Sequence, residues 1–268
     1  MMVDVQTFDS LAGAASALST SRGARFLGGG TLVMRALNEG DQTIDTIVRT
    51  TDPPFRQIQS QGDRVVIGAG VTMGQILQSR ELDFLHPVAR VIGGPAVRSM
   101  ATIGGNLFAP SPYGELTTAL LALDATVSNT SGNNAREMSL PDLIRDRERE
   151  PRQLVASITV QRPRDPAGLR FVKVTRVKPK GISILSIAVA AGNRSTRVAY
   201  NGMSPAPMRV PAVERALEGK TLDANGIAQA LAVAAEGTSP VDDAIASAWY
   251  RMEVLPVHLR RVLLGEVV

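Results

Sequence analysis

Cysteine is absent from the 268 residues, which excludes disulfides, thiolate-bound zinc, a cysteine nucleophile and any iron–sulfur cluster held by this chain alone. Histidine is nearly absent. His86 and His258 are too few for a histidine-rich metal site, so no metal is expected, and each lies in apolar sequence that reads as structural. Long apolar runs are missing too: Ala119–Leu123 and Ile182–Ala191 are the longest, far too short to cross a bilayer. The start, MMVDVQTFDSLAG, carries an acid where an export signal has bases, so a cytoplasmic location is expected. A net charge of +4 is too small to point to nucleic acid, and no such partner is expected. The run RDREREPR at 145–152 alternates in sign without aromatics and reads as a solvated surface.

What remains is a globular composition, 44% hydrophobic and 20% charged, with length for one large or two modest domains. Asp9–Ser19 places Leu11, Ala14, Ala15 and Leu18 on one helical face behind Asp9 or Ser10 as cap. Arg25–Leu27 reads as a strand running into three glycines, and Leu32–Leu37 as the helix after them. Ile44–Val48 and Arg64–Ile67 read as strands, with a helix from a Thr72 cap through Leu77. Leu85–Ile92 reads as a helix stopped by Gly93-Gly94-Pro95, Val97–Ile103 as extended, and Gly104-Gly105-Asn106 as a turn. Thr117–Leu123 reads as buried and Ala125–Ser128 as a short strand, followed by a turn at 132–134. From Leu154 the texture changes. Val155–Val160, Arg170–Arg176, Ile182–Ala191 and Arg197–Tyr200 read as an antiparallel meander with turns at 163–168, 179–181 and 192–195. Pro211–Leu217, Gly226–Ala235 and Ala244–Leu264 read as helices, and a domain boundary falls near residue 163.

Two glycine motifs carry the chemistry. Phe26-Leu27-Gly28-Gly29-Gly30-Thr31-Leu32 follows a strand. Adjacent glycines allow positive φ and close backbone approach, so peptide N–H groups can turn inward to an anion, with the Thr31 hydroxyl as a further donor; a plain tight turn reads equally well. Ala101-Thr102-Ile103-Gly104-Gly105-Asn106 sets glycines between hydroxyl and amide side chains, and Ser111-Pro112-Tyr113-Gly114-Glu115 adds a carboxylate able to accept from ribose hydroxyls. Alone, Glu115 reads as an exposed acid favouring a helix start.

FLGGGT, ATIGGN and SPYGEL, in that order, resemble the FAD-binding medium subunit of the molybdenum hydroxylases, the xanthine, aldehyde and carbon monoxide dehydrogenases. IGAGVT at Ile67–Thr72, VRSM at Val97–Met100, FVKVTR at Phe171–Arg176 and SAWYRMEVLPVHLRRVL at Ser247–Leu263 extend the resemblance over nearly the whole chain. It implies an α+β architecture: a two-subdomain FAD-binding fold of the vanillyl-alcohol-oxidase (PCMH) type over residues 1–163, with subdomains of about 1–55 and 56–163. Residues 164–268 form a small antiparallel sheet with a helical bundle. It also implies that Phe26, Leu27, Gly28, Gly29, Gly30, Thr31, Leu32 and Val33 wrap the FAD pyrophosphate, with Thr102, Ile103, Gly104, Gly105 and Asn106 lining the other side. Glu115 holds a ribose hydroxyl, Ile92 and Val155 pack around the cofactor, and Lys173 stands close to the flavin, unless it is a strand lysine facing solvent. No residue is expected to be catalytic toward a substrate.

The implied partners are a large chain holding the molybdenum cofactor and a small chain with two 2Fe–2S clusters, in a dimer of heterotrimers; electrons pass from the clusters to FAD and on to an external acceptor. Departures fall mostly around the flavin ring. Leu32 stands where the family has an acid, Glu115 where it has aspartate, Val177 where many relatives have a base, and Gly181 where some have an aromatic. The ring is therefore expected to be comparatively exposed in the isolated chain. Competing readings are a stand-alone FAD-dependent oxidoreductase of the same wider fold, a colourless binding module with structural glycines, and an NAD site on Gly68-Ala69-Gly70, where the third fingerprint glycine is replaced by Met73.

Overall fold

Local chemistry sets the elements. Ser10 is extended and its hydroxyl accepts from the Gly13 N–H, opening a helix at Leu11 whose buried face is Ala14, Ala15 and Leu18. The computed structural model describes residues 3–131, 134–147, 149, 152–178, 181–192 and 195–266. The turns expected at 132–134, 179–181 and 192–195 and the charged run at 145–152 lie partly outside the described residues.

In chain order the first elements are β1 (Asp4–Phe8), α1 (Leu11–Thr20), β2 (Ala24–Phe26), α2 (Val33–Asn38), β3 (Thr46–Thr50), β4 (Ile58–Gln61), β5 (Arg64–Gly68), α3 (Met73–Gln78) and α4 (His86–Arg90). Then come α5 (Pro95–Met100), α6 (Ile103–Leu107), α7 (Glu115–Ala122), β6 (Thr126–Ser131), β7 (Asn134–Ser139), α8 (Leu140–Asp146) and β8 (Leu154–Gln161). The remainder is β9 (Leu169–Thr175), β10 (Ser183–Ala191), β11 (Thr196–Asn201), β12 (Met208–Arg209), α9 (Pro211–Ala216), α10 (Ala228–Ala232) and α11 (Ala248–Leu264).

The chain divides into two compact units. One comprises Met1–Glu81, Gly93–Ala109 and Ala125–Gln161; the other comprises Leu82–Ile92, Pro110–Asp124 and Arg162–Val268. The first holds a parallel sheet of order β1-β3-β2, as helical crossovers require, and an antiparallel sheet of order β4-β5-β8-β6-β7. Ala14, Ala15 and Leu18 of α1 share a core with Ala24, Val48 and Leu154. The second unit holds the antiparallel sheet β12-β11-β10-β9. Its core joins Ile187, Val189, Val198 and Tyr200 to Val213, Ala230, Leu255, Leu259 and Val262 from the helices.

Three local expectations need correcting. Val155–Val160 is a strand but not part of the meander. As β8 it pairs with β5 and β6, with Ile158 opposite both Ile67 and Val127; alternation along a strand identifies its faces, not its partner. Val97–Ile103 is not extended. Gly94 and Pro95 start α5, since proline's fixed φ and missing N–H suit the first helical turn. Thr102 then caps α6, so Gly104 and Gly105 are helical rather than a turn.

A reciprocal cap opens α3: the Thr72 hydroxyl accepts from the Gln75 N–H at 3.2 Å, and the Gln75 side-chain oxygen accepts from the Thr72 N–H at 2.9 Å. Thr72→Ala is expected to lower stability by about 1 kcal/mol, read from the midpoint of urea unfolding.

Candidate functional site

The first glycine motif is launched by β2, whose register is held through Leu27, its N–H donating to Val48 O at 2.8 Å. From there the chain presents a run of unused donors. Among the described residues no acceptor takes the peptide N–H groups of Gly28, Gly29, Gly30, Thr31 or Leu32. Gly30 has φ +77°, the left-handed conformation that favours glycine. Phe26 stacks edge-to-face on Phe55, ring centres 5.5 Å apart, and Val33 opens α2 half-buried. A run of unused peptide N–H groups of this kind is suited to an anion.

The second motif is built differently. Ile103 N–H donates to Val71 O and Gly104 N–H to Ala69 O, both at 2.8 Å; Gly105 N–H goes to Thr102 Oγ1 at 3.1 Å and Asn106 N–H to Thr102 O at 3.0 Å. Its backbone donors from Ile103 to Asn106 are spent inside the protein, so this stretch offers a surface rather than a second nest.

That surface meets the first loop directly. A Cβ on Gly29 would lie 1.8 Å from Met100 O, and one on Gly28 would lie 2.8 Å from Thr102 Oγ1. A Cβ on Gly104 would lie 2.8 Å from Ala69 Cβ. These glycines let two backbones touch. Gly105 differs: a Cβ there would meet only Thr102 Oγ1, at 3.0 Å, and otherwise open space. Val155 is buried in β8 opposite Asn129, in the ladder rather than in the loop contact.

In the other unit, Glu115 is the first residue of α7, placed there by Gly114 at φ +115°. It is buried, not the exposed acid of the plainer sequence reading, and Lys173 of β9 does not face solvent. Their side chains are 4% and 8% exposed, and Lys173 Nζ lies 2.7 Å from Glu115 Oε1. Lys173 also donates to Val91 O at 3.1 Å, beside the buried Ile92. Asn201 is a contributor that sequence reasoning missed. Fully buried at the end of β11, its amide donates to Pro112 O at 2.7 Å and Tyr113 O at 3.2 Å, fixing the segment before Glu115. An asparagine before a glycine carries only a turn signal, so nothing local marks it.

His258 is half-buried on α11 with Nδ1 unpartnered among the described residues. Burial first, then the nearby Arg261 and Lys178 charges, hold its pKa below the ordinary value. No group of three His, Asp or Glu that could hold a metal occurs among the described residues, and no helix there is long and apolar enough to cross a membrane.

Residues 1–163 match the family described as the FAD binding domain in molybdopterin dehydrogenase, and residues 170–265 match the CO dehydrogenase flavoprotein C-terminal domain. The chain is 28% identical over 205 residues to the glyceraldehyde dehydrogenase medium chain of Sulfolobus acidocaldarius, covering 72% of each. It is 26% identical over 217 residues to the carbon monoxide dehydrogenase medium chain of Afipia carboxidovorans, covering 77% of this chain and 75% of that one. Its fold matches a chain of reconstituted CO dehydrogenase from Oligotropha carboxidovorans with a TM-score of 0.87, over 98% of this chain and 96% of that one, at 24% identity.

Proposed function

The chain belongs to the FAD-binding subunits of the molybdopterin dehydrogenases, and from that premise we propose that it is the electron-relay subunit of its complex. It takes electrons from 2Fe–2S clusters on a small partner chain and passes them through FAD to an external acceptor. A large partner chain holds the molybdenum cofactor, and the assembly is a cytoplasmic dimer of heterotrimers. Residues 1–163 serve as the cofactor-binding domain and 164–268 as the C-terminal domain.

One observation carries the reading: the unused N–H groups of Gly28 to Leu32 on a loop braced against the Met100 carbonyl. A diphosphate brings several anionic oxygens that need N–H donors, and the five consecutive unused peptide N–H groups from Gly28 to Leu32 can supply them. Phe26 through Val33 would hold the diphosphate, with Thr102 to Asn106 as the backing surface. Ile92 and Val155 would pack on the cofactor, and Glu115, paired with Lys173, would accept from a ribose hydroxyl. When bound, FAD supplies the one- and two-electron redox chemistry, and the chain supplies binding and orientation.

The purified chain is expected to show, or to acquire on adding FAD, a flavin absorption band at about 450 nm. A colourless protein that takes up no FAD would sink the reading; substrate oxidation by this chain alone with FAD would replace it with the stand-alone enzyme. Gly105→Ala separates fold from ligand. The added methyl fits the protein apart from its contact with Thr102 Oγ1, and alanine in a helix is favoured over glycine by about 1 kcal/mol. Thermal stability should hold or rise while the FAD dissociation constant rises about tenfold, about 1.4 kcal/mol; unchanged affinity by fluorescence titration would remove Gly105 from the site.

A further inference from the structure

We propose that Lys173 is a positioning residue, which fixes the Glu115 carboxylate with one oxygen committed and the other left to accept from a ligand hydroxyl. The inference rests on the FAD reading above. A buried lysine and glutamate are costly to desolvate, and the pair is tolerable only where geometry and further hydrogen bonds compensate. Here the compensation is uneven. Lys173 Nζ is 2.7 Å from Glu115 Oε1 and donates to Val91 O at 3.1 Å. Glu115 Oε2 has one partner among the described residues, the Gly114 N–H at 3.3 Å, at the long limit for such a bond. A carboxylate has about four acceptor sites, so Oε2 is under-used although the side chain is only 4% exposed.

The segments around that oxygen are held in place. Asn201 fixes the carbonyls of Pro112 and Tyr113, and Gly114 sets the turn into α7. Lys173 fixes the carboxylate head and, through Val91 O, the residue next to Ile92. Three segments, the end of α4, the start of α7 and the middle of β9, are thus tied to one ammonium group. Of the three N–H donors of the ammonium, two are thus committed to protein acceptors, at 2.7 and 3.1 Å.

The test is a double-mutant cycle on the full chain, stripped of flavin and titrated with FAD by fluorescence, with thermal stability of the apo forms measured alongside. Lys173→Met and Glu115→Gln should each weaken FAD binding about 10- to 100-fold, as for a lost hydrogen bond to a charged group. The double variant should bind within about twofold of Glu115→Gln, because Lys173 has nothing left to position. Lys173→Arg should recover most of the affinity. Losses that multiply, or no loss in either single variant, would overturn the proposal; multiplication would assign Lys173 a direct contact with FAD. Should Lys173→Met not fold, with its carboxylate left buried and unpaired, Glu115→Gln and the double variant decide alone: a further loss on adding Lys173→Met to Glu115→Gln overturns the proposal. If the native chain takes up no FAD in the same titration, the cofactor reading fails instead.

Discussion

Gly29→Val is expected to yield protein that purifies without flavin and does not recover it on incubation with FAD. The cause is steric and lies in the backbone. The first carbon of any side chain at Gly29 would stand 1.8 Å from Met100 O, 2.7 Å from Met100 C and 3.2 Å from Ala101 Cα. None of these is the end of a flexible side chain, so the two segments must separate. Overpacking of this kind costs about 1–3 kcal/mol in stability, which a chain of this size can absorb. Binding suffers more, because the displaced atoms carry the unused N–H groups at Gly28 to Leu32, and donors moved by an ångström no longer converge on one anion. An affinity loss of at least about 100-fold, near 2.7 kcal/mol, is expected. The ratio of flavin to protein absorbance and the melting temperature check it together. A folded Gly29→Val protein with normal flavin content would show that the loop contact does not shape the binding site.

Arg251→Met is expected to be the most damaging single substitution for stability. Arg251 is 1% exposed, yet all of its guanidinium nitrogens are engaged. Nε donates to Ile184 O at 3.0 Å, Nη1 to Ala246 O at 3.0 Å and to Val241 O, and Nη2 to Asp243 Oδ2 at 2.7 Å. One side chain thereby joins β10, the 241–246 segment and the first turn of α11. Methionine fills the space but removes the guanidinium donors from three carbonyls and a carboxylate; breaking a buried charged network in this way costs about 3–5 kcal/mol.

Urea unfolding should show that loss in the transition of the second unit, and the melting temperature should fall by about 6–20 °C. The network is also pH-dependent. Burial alone pushes the Asp243 carboxyl up, but the N–H groups of Ala246 and Ile245 and the Arg251 guanidinium outweigh it, so its pKa lies below the ordinary 3.8. A group depressed on folding stabilises fully above its unfolded pKa and loses that contribution as pH falls through the folded one. The difference between native and Arg251→Met proteins should therefore be constant near neutrality and narrow below about pH 4; a difference that widens in acid would contradict the assignment. Arg251→Lys should recover part of the loss, since an ammonium replaces one of the contacts but not the fork.

Much of this molecule is legible in its residues, and the limits have physical causes. The Ser10 and Thr72 caps, the apolar face of α1 and the glycine run after β2 are local signals, and the structure has them where the sequence places them. Gly104 and Gly105 mislead because glycine marks both turns and close approaches: Thr102 caps the helix that takes them both into α6, and the missing side chain of Gly104 serves the contact with Ala69. Strand partners are not local either, which is why β8 reads as the start of a meander and is found between β5 and β6. Glu115 and Lys173 were each visible as candidates, but their pairing at 2.7 Å and the hold of Asn201 on the preceding segment depend on tertiary packing that no spacing rule supplies.

The place of β8 has a consequence for synthesis. It is the last strand of its sheet to leave the ribosome and the central one in space, flanked by β5 and β6. Until residue 161 has emerged, the hairpins β4–β5 and β6–β7 each carry an inner edge with open backbone groups, the kind of edge that recruits other chains. The nascent polypeptide thus passes through a window in which more than half its length is translated and its five-stranded sheet is still in two pieces. Chaperone capture should concentrate in that window, and a product ending before Leu154 should aggregate rather than persist as a smaller soluble domain.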